Sequence, residues 1–150
     1  MRRFNVFHAA TEVSPRAPAG YRAGAVELGP EIGAALLGAT VWDLPPGERN
    51  ARYHYDHADE EWLLVLRGRP TVRHAEGEDA LEPGDIVCFP AGPAGAHSVV
   101  NDGDEDVRMV MLSTQNVPTV VVYPDEGQLL VYTGHADDNL VVPRSAGELL

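Results

Sequence analysis

From residue 39 onward, apolar positions come in short runs, and each run ends at a cluster of glycine, proline or aspartate. ATVWDL (39–44) alternates apolar and polar residues and is closed by PPG (45–47). Alternation with β-branched and aromatic residues fits a pleated strand with one buried face. Pro-Pro-Gly supplies the fixed and permissive backbone angles of a turn. Trp62–Leu66 reads as a strand ending at Gly68, and PTVRHA (70–75) as another, with the acidic EGED (76–79) as a solvated hairpin tip. LEPGD (81–85) predicts a turn before the strand IVCFP (86–90). PAGPAG (90–95) is a loop, and AHSVVN (96–101) is a strand closed by the acidic turn DGDED (102–106). VRMVMLST (107–114), TVVVY (119–123) and QLLVYTG (128–134) complete the series.

The ends of the chain read differently. Residues 1–30 carry Pro15, Pro18, Gly20, Gly24, Gly29 and Pro30, too much punctuation for a long helix. An extended lead-in with one strand near Phe4–Phe7 is expected. EIGAALLGAT (31–40) fits a helical turn by composition or a strand beginning near Leu36, and Gly33 and Gly38 weaken the helix. The tail ADDNLVVPRSAGELL (136–150) is expected to be irregular, with a short apolar clamp. Short, evenly spaced strands bounded by turn signals predict one all-β domain, a sandwich or barrel with its core at about 35–125 and extended arms on either side. There is no βαβ alternation, glycine-rich phosphate fingerprint or internal repeat, which excludes the common nucleotide folds.

Composition narrows the function. At 150 residues the chain can bury one substantial core. Its net charge is −12, and all 11 basic side chains are arginine, with no lysine. An acidic surface of this kind argues against nucleic acid and against anionic membranes as partners. No apolar run reaches membrane-spanning length, and the N-terminus has two arginines but no continuous apolar core behind them. A cytoplasmic protein is expected. The single Cys88 excludes an internal disulfide, and its mid-strand position predicts a buried, inert thiol.

Candidate chemistry concentrates in Gly47–Gly68, GERNARYHYDHADEEWLLVLRG, where His54, Asp56, His57, Glu60 and Glu61 crowd the entrance to an apolar strand. Carboxylates and imidazoles beside a core are disfavoured by desolvation unless something binds them. A divalent cation converts that cost into binding energy. Residues i and i+2 of a strand share a face, so His54 and Asp56 point together, and His57 points outward unless a bulge intervenes. Glu61 opens the next strand and can close the site, and Glu60 exchanges with it on a one-residue slip. Arg49 and Arg52 precede these residues; they suit an anionic ligand, a solvated face or ion pairs with the acidic surface. Aromatic residues Trp42, Tyr53, Tyr55, Trp62 and Phe89 belong to the core or its wall.

Two blocks resemble the motifs of the cupin superfamily, in particular its small single-domain bacterial members. In the first, Gly47 is followed by six residues, His54-x-Asp56, four residues, Glu61, six residues and Gly68. In the second, Gly84 is followed by five residues, Pro90-x-Gly92, four residues, His97, three residues and Asn101. The family pattern has histidine where Asp56 stands and a loop two residues shorter before His97. The resemblance implies a double-stranded β-helix (jelly-roll) barrel, a metal at its mouth and, commonly, a homodimer. It places His97 opposite His54 and gives the ligand set His54, Asp56, Glu61 and His97, with His57 as the alternative to Asp56. Two imidazoles and two carboxylates favour Mn, Fe, Ni or Co over Zn.

The implied function is a metal-dependent enzyme of dioxygenase, isomerase or decarboxylase type, acting on a small polar organic molecule. The alternative is a non-catalytic barrel that binds or senses a small molecule, with a structural metal or none. No separate general base is named by sequence. His54-x-Asp56…His97 also fits the facial triad of iron(II) oxygenases. In the 2-oxoglutarate oxygenases a basic residue on a late strand holds the cosubstrate. Arg108 is the only basic residue in a late core strand, so use of that cosubstrate is disfavoured.

Overall fold

In the computed structural model, which describes residues 1–147, the chain folds into three antiparallel sheets. Six strands are β1 (Glu12–Val13), β2 (Gly24–Glu27), β3 (Leu37–Leu44), β4 (Tyr55–Asp56), β5 (Glu61–Arg67) and β6 (Thr71–His74). β7 (Gly77–Ala80), β8 (Ile86–Phe89), β9 (His97–Val100) and β10 (Val107–Thr114) follow. The last are β11 (Thr119–Tyr123), β12 (Gln128–Tyr132) and β13 (Leu140–Pro143). The sheet orders are β1-β2-β3-β10-β5-β8, β13-β12-β11-β4 and β7-β6-β9.

Strand parity builds the interior. On β10, Val107, Met109 and Met111 point into the main cluster with Leu44, Leu63, Val72, Phe89 and Val99. Their neighbour Val110 points the other way, onto Val41 and Leu28. Phe4 and Val6 of the N-terminal arm pack on that outer cluster. Arg108 shares its side of the strand, where it pairs with Asp43 and donates to the carbonyl of Ala9. Thr11 donates to the same Asp43 at 2.8 Å, so this ion pair fastens the arm to the sheet.

Several sequence expectations need correction. Phe4–Phe7 is not a strand: Asn5 accepts from the Phe7 amide at 2.9 Å and from the His8 amide at 3.2 Å, closing a turn. The strands of the lead-in are instead β1 and β2. Residues 31–40 contain both alternatives in succession. A single turn of helix, Gly29–Ile32, ends at Gly33 in the left-handed region (φ 76°), and β3 starts at Leu37. EGED is not only a hairpin tip, because Gly77–Ala80 pairs with Thr71–His74 around a two-residue turn. Every residue of β7 is exposed, so no alternation announced it. Leu140–Pro143 of the tail is a strand paired with β12, and 148–150 lie outside the described residues. Among the described residues no helix is long and apolar enough to cross a membrane.

Candidate metal centre

The site is assembled from strand ends. His54 pairs with His97, the first residue of β9, in an isolated antiparallel bridge. The His54 amide donates to the His97 carbonyl at 3.0 Å, and the His97 amide returns the bond at 2.8 Å. Directly opposed residues send their side chains to the same face. The two imidazoles accordingly lie with centroids 4.8 Å apart. Glu61 opens β5 between Ser113 of β10 and Phe89 of β8. Phe89 in turn stacks flat on His97, with ring centres 3.7 Å apart. Glu61 Oε2 stands 3.6 Å from His54 Nε2 and 3.5 Å from His97 Nε2.

The backbone sets the direction of each imidazole. Nδ1–H of His54 donates to the Arg52 carbonyl at 2.8 Å, and Nδ1–H of His97 donates to the Gly95 carbonyl at 2.9 Å. A carbonyl can only accept, so Nδ1 carries the proton and Nε2 of the neutral ring keeps its lone pair. His97 is 1 % exposed, and its Nε2 has no hydrogen-bond partner. Leaving such an atom unsatisfied costs about 1–3 kcal/mol. The ligand atoms of His54, Glu61 and His97 all lie within 4.8 Å of one another. Two oriented lone pairs and one carboxylate at that spacing suit a divalent cation, which removes the cost of the orphaned nitrogen.

Electrostatics within the cluster oppose one another. Burial, reinforced by the neighbouring His54, pushes the His97 imidazole down to about 4 against the pull of Glu61. Burial also works against charge on His54, but Glu61, the Arg52 carbonyl and Asp56 outweigh it and hold that imidazole above its ordinary value. Glu61 is likewise opposed by burial, yet the two imidazoles keep its carboxyl below the usual range.

Asp56 stands beside this group rather than within it. It is half-buried at the end of β4, with Oδ1 accepting from the Thr119 hydroxyl at 3.4 Å. Burial, and then the charge of Glu61, pushes its carboxyl up to about 6. His57 is exposed, and its ring meets Tyr55 edge-on at 5.3 Å. Glu60 is also exposed and accepts from the Trp62 indole at 2.7 Å. Cys88 corrects another expectation: it is exposed, because its cross-strand partner Trp62 lies on the outer row of the sheet, where it is 45 % exposed. Partial desolvation and the nearby Glu60 keep the Cys88 thiol above its ordinary pKa.

A cavity of about 520 Å³ opens against His54 and Glu61, walled by Thr40, Trp42, Met111, Ser113 and Gln115 among others. A second, of about 250 Å³, is lined by Asp56, Glu61, Ser113 and Gln115 among others. Neither lining includes a basic side chain other than His54. Sequence inspection did not single out Ser113 and Gln115. Their signal is parity: Ser113 is directly opposite Glu61, so the two face the same side.

Comparisons with known proteins agree with this architecture. The cupin-domain family model (Cupin_2) matches residues 40–113, which carry all three clustered side chains. A protein assigned as a sugar phosphate isomerase from Acidithiobacillus ferrooxidans is 26 % identical, covering 97 % of this chain and 92 % of its own, with a TM-score of 0.86. A cupin-superfamily sugar phosphate isomerase from Silicibacter pomeroyi superposes with a TM-score of 0.83 at 20 % identity, over 99 % of this chain and 96 % of its own. The polyketide cyclase RemF from Streptomyces resistomycificus has a TM-score of 0.64 at 20 % identity, over 79 % of this chain and 83 % of its own. A curated relative, the bifunctional lysine-specific demethylase and histidyl-hydroxylase NO66 of Branchiostoma floridae, is 32 % identical over 75 residues. That match spans 48 % of this chain and 12 % of the relative's length. The antiparallel sheets, the matched motif region and these neighbours make the chain a small cupin-domain protein with the jelly-roll fold.

Proposed function

We propose that this protein is a metal-dependent isomerase of small hydroxy-carbonyl compounds, with His54, Glu61 and His97 holding a divalent ion of the Mn, Fe, Ni or Co class. The observation that carries the reading is the orphaned, buried Nε2 of His97, directed with that of His54 at one carboxylate oxygen. When bound, such an ion supplies Lewis acidity to a substrate carbonyl and its neighbouring hydroxyl. Asp56 then takes the proton from the carbon next to the carbonyl and returns it to the former carbonyl carbon. A hydroxyl proton moves between the two oxygens, so the conversion needs no oxidant or reductant. Thr40, Ser113 and Gln115 offer neutral hydrogen-bonding groups to substrate hydroxyls, and Trp42 and Met111 give the cavity apolar wall.

One observation favours isomerisation over the dioxygenase and decarboxylase alternatives, and a second disfavours use of a 2-oxoacid cosubstrate. The Acidithiobacillus ferrooxidans neighbour, similar over nearly the whole chain, is assigned as a sugar phosphate isomerase. Arg108 points away from the cavity, which leaves no guanidinium there for a 2-oxoacid cosubstrate. A homodimer completes the proposal, joined through the outer face of β5 and β8. Trp62 is 45 % exposed and Ile86 59 % exposed on that face, and β8 is an uncovered sheet edge.

Elemental analysis of variants purified without added metal, alongside turnover of an aldose–ketose panel, tests the reading. His97→Ala and Glu61→Ala should lose the ion, and His57→Ala should keep it. Asp56→Ala should retain metal while turnover falls about 10²–10⁴-fold, as expected on losing an acid–base group. Metal loss in Asp56→Ala equal to that in Glu61→Ala would make Asp56 a ligand instead. A wild type that takes up no Mn, Fe, Ni, Co or Zn, or that binds metal and turns over nothing, would move the protein to the non-catalytic binding reading.

A further inference from the structure

The chain carries 11 arginines against 23 carboxylate side chains, yet among the described residues only four arginines pair with one. Arg67, Arg69, Arg73 and Arg108 each pair with an aspartate or glutamate. Among the described residues, Arg52 has no carboxylate within 4.0 Å, although it is half-buried and only two residues from His54. Its guanidinium lies 3.6 Å over the Tyr123 ring, and one Nη1–H reaches the Gln128 side-chain oxygen at 3.4 Å. Stacking fixes the plane of the fork and leaves most of its five N–H donors uncommitted.

The surroundings make a site of this geometry. Arg52, Tyr123, Tyr21, Pro18, Ala51 and His54 line a cavity of about 350 Å³. Ala51 and His54 also line the 520 Å³ cavity, so the two spaces share a wall at the histidine of the cluster. The Tyr123 ring lies on the Arg52 side of that wall, 6.1 Å from the His54 ring and directly beneath Arg52. A second guanidinium, that of Arg49, sits 5.7 Å over the Tyr21 ring and has no carboxylate within 4.0 Å among the described residues. One unneutralised guanidinium and two tyrosines thus border one small cavity on a protein of net charge −12, with a second guanidinium over one of those tyrosines. A planar fork held open beside a cavity matches a tetrahedral oxyanion, which accepts paired N–H bonds.

We propose that Arg52, framed by Tyr123 and Tyr21 and assisted by Arg49, binds the phosphate group of a phosphorylated hydroxy-carbonyl substrate. This rests on the isomerase reading for the other end of the substrate, which lies against His54 and Glu61. The separation of the two ends has a physical reason. Glu61 and Asp56 repel a phosphate near the cluster, so the anionic group is recognised on the far side of His54, where the free positive charge is.

The test uses inorganic phosphate as the probe and the full-length protein stripped of metal, so that it is independent of turnover. Calorimetric titration should show saturable phosphate binding by the wild type and binding at least about tenfold weaker in Arg52→Gln, as expected on losing a charge-assisted pair. Arg69→Gln makes the same change in net charge at an exposed, already paired position and should bind phosphate like the wild type. Acetate should bind more weakly than phosphate; equal affinity would overturn the assignment of a phosphate group. Phosphate binding by Arg52→Gln as tight as by the wild type, or equal weakening in Arg69→Gln, would overturn the site itself. If Arg52→Gln does not fold, side-chain NMR of the wild type decides the matter: phosphate should shift the Arg52 Nε–H resonance, and a shift confined to other arginines refutes the site. Phosphate binding at Arg52 in a protein that isomerises no sugar phosphate would uphold the subsite and sink the isomerase reading instead. With turnover established, Arg52→Gln should lower kcat/KM for a sugar phosphate at least tenfold and leave the unphosphorylated sugar unchanged; equal loss on both would refute phosphate recognition.

Discussion

At the residue scale, the cluster shows how one environment moves neighbouring groups in opposite directions. In the metal-free protein the Asp56 carboxyl is raised to about 6, chiefly by burial and then by Glu61. A group whose folded pKa lies above its unfolded value contributes stability that is complete below the unfolded pKa and lost as pH rises through the folded one. Asp56 therefore weakens the metal-free protein between about pH 4 and 7 as it ionises. His97 acts with the opposite sign. Its imidazole is lowered to about 4, so its contribution is complete above about 6.5 and is lost as pH falls towards 4. Replacing Asp56 with Asn keeps an acceptor for Thr119 but removes the charge. Urea unfolding of the chelator-treated proteins at pH 5 and pH 7 should show Asp56→Asn gaining on the wild type by about 1–2 kcal/mol at the higher pH. An equal difference at both pH values would mean that Asp56 ionises without cost.

At the element scale, the second histidine depends on how the chain enters and leaves β9. Before it, Gly95 passes so close to the Pro90 carbonyl that a Cβ would overlap it, and the Gly95 carbonyl orients His97. Gly95→Ala should lower stability by about 1–3 kcal/mol through overpacking and weaken metal retention with it. Unfolding curves and elemental analysis of the same preparation check both effects. After β9, Asn101 is 1 % exposed and holds the next turn together. Its Nδ2 donates to the Leu44 carbonyl at 2.7 Å and to the Glu105 carbonyl at 2.8 Å, and its Oδ1 accepts from the Gly103 amide at 3.2 Å. The last position of the second motif is thus a turn-former rather than a ligand. Asn101→Ala strands two carbonyls and one amide, and denaturant titration should read a loss of about 2–4 kcal/mol.

At the scale of the whole molecule, metal and association are both expected to add to the stability of the fold. An ion that binds only the folded state stabilises it by about 2.7 kcal/mol at a hundredfold excess over Kd. For a domain of this size that is a rise in Tm of about 5–10 °C on metal addition, reversed by chelator and absent in Glu61→Ala. The proposed dimer face is separate from the site. Phe4 and Val6 of the N-terminal arm are partly covered by the protein's own sheet, whereas Trp62 and Ile86 are exposed. Trp62→Glu should shift sedimentation of a wild-type dimer to the monomer mass while metal content stays unchanged. A wild type that sediments as a monomer at tens of micromolar would rule the interface out.

Much of this was legible before folding, because it depends on local periodicity. Alternating runs and Gly/Pro/Asp turns marked β3, β5, β8, β9, β10, β11 and β12, and the spacing of His54, Glu61 and His97 put each at or near the start of a strand. Where both faces of a segment meet water, as in β7, or where a turn is closed by local bonds to one residue, as at Asn5, there was no periodic signal to read. The ambiguity between Asp56 and His57 was already narrowed by parity, which puts Tyr55 and His57 on one side. Which polar groups converge was decided only by tertiary pairing. The His54–His97 bridge brings together residues 43 positions apart, and the Glu61–Ser113 register builds a cavity wall from residues 52 apart. The same holds for Arg52, whose meaning lies in the carboxylate it does not meet and in a tyrosine 71 positions away. A sequence fixes which side chains alternate along a strand; only the closed set of strand pairings fixes which of them share a face, a cavity and a charge balance.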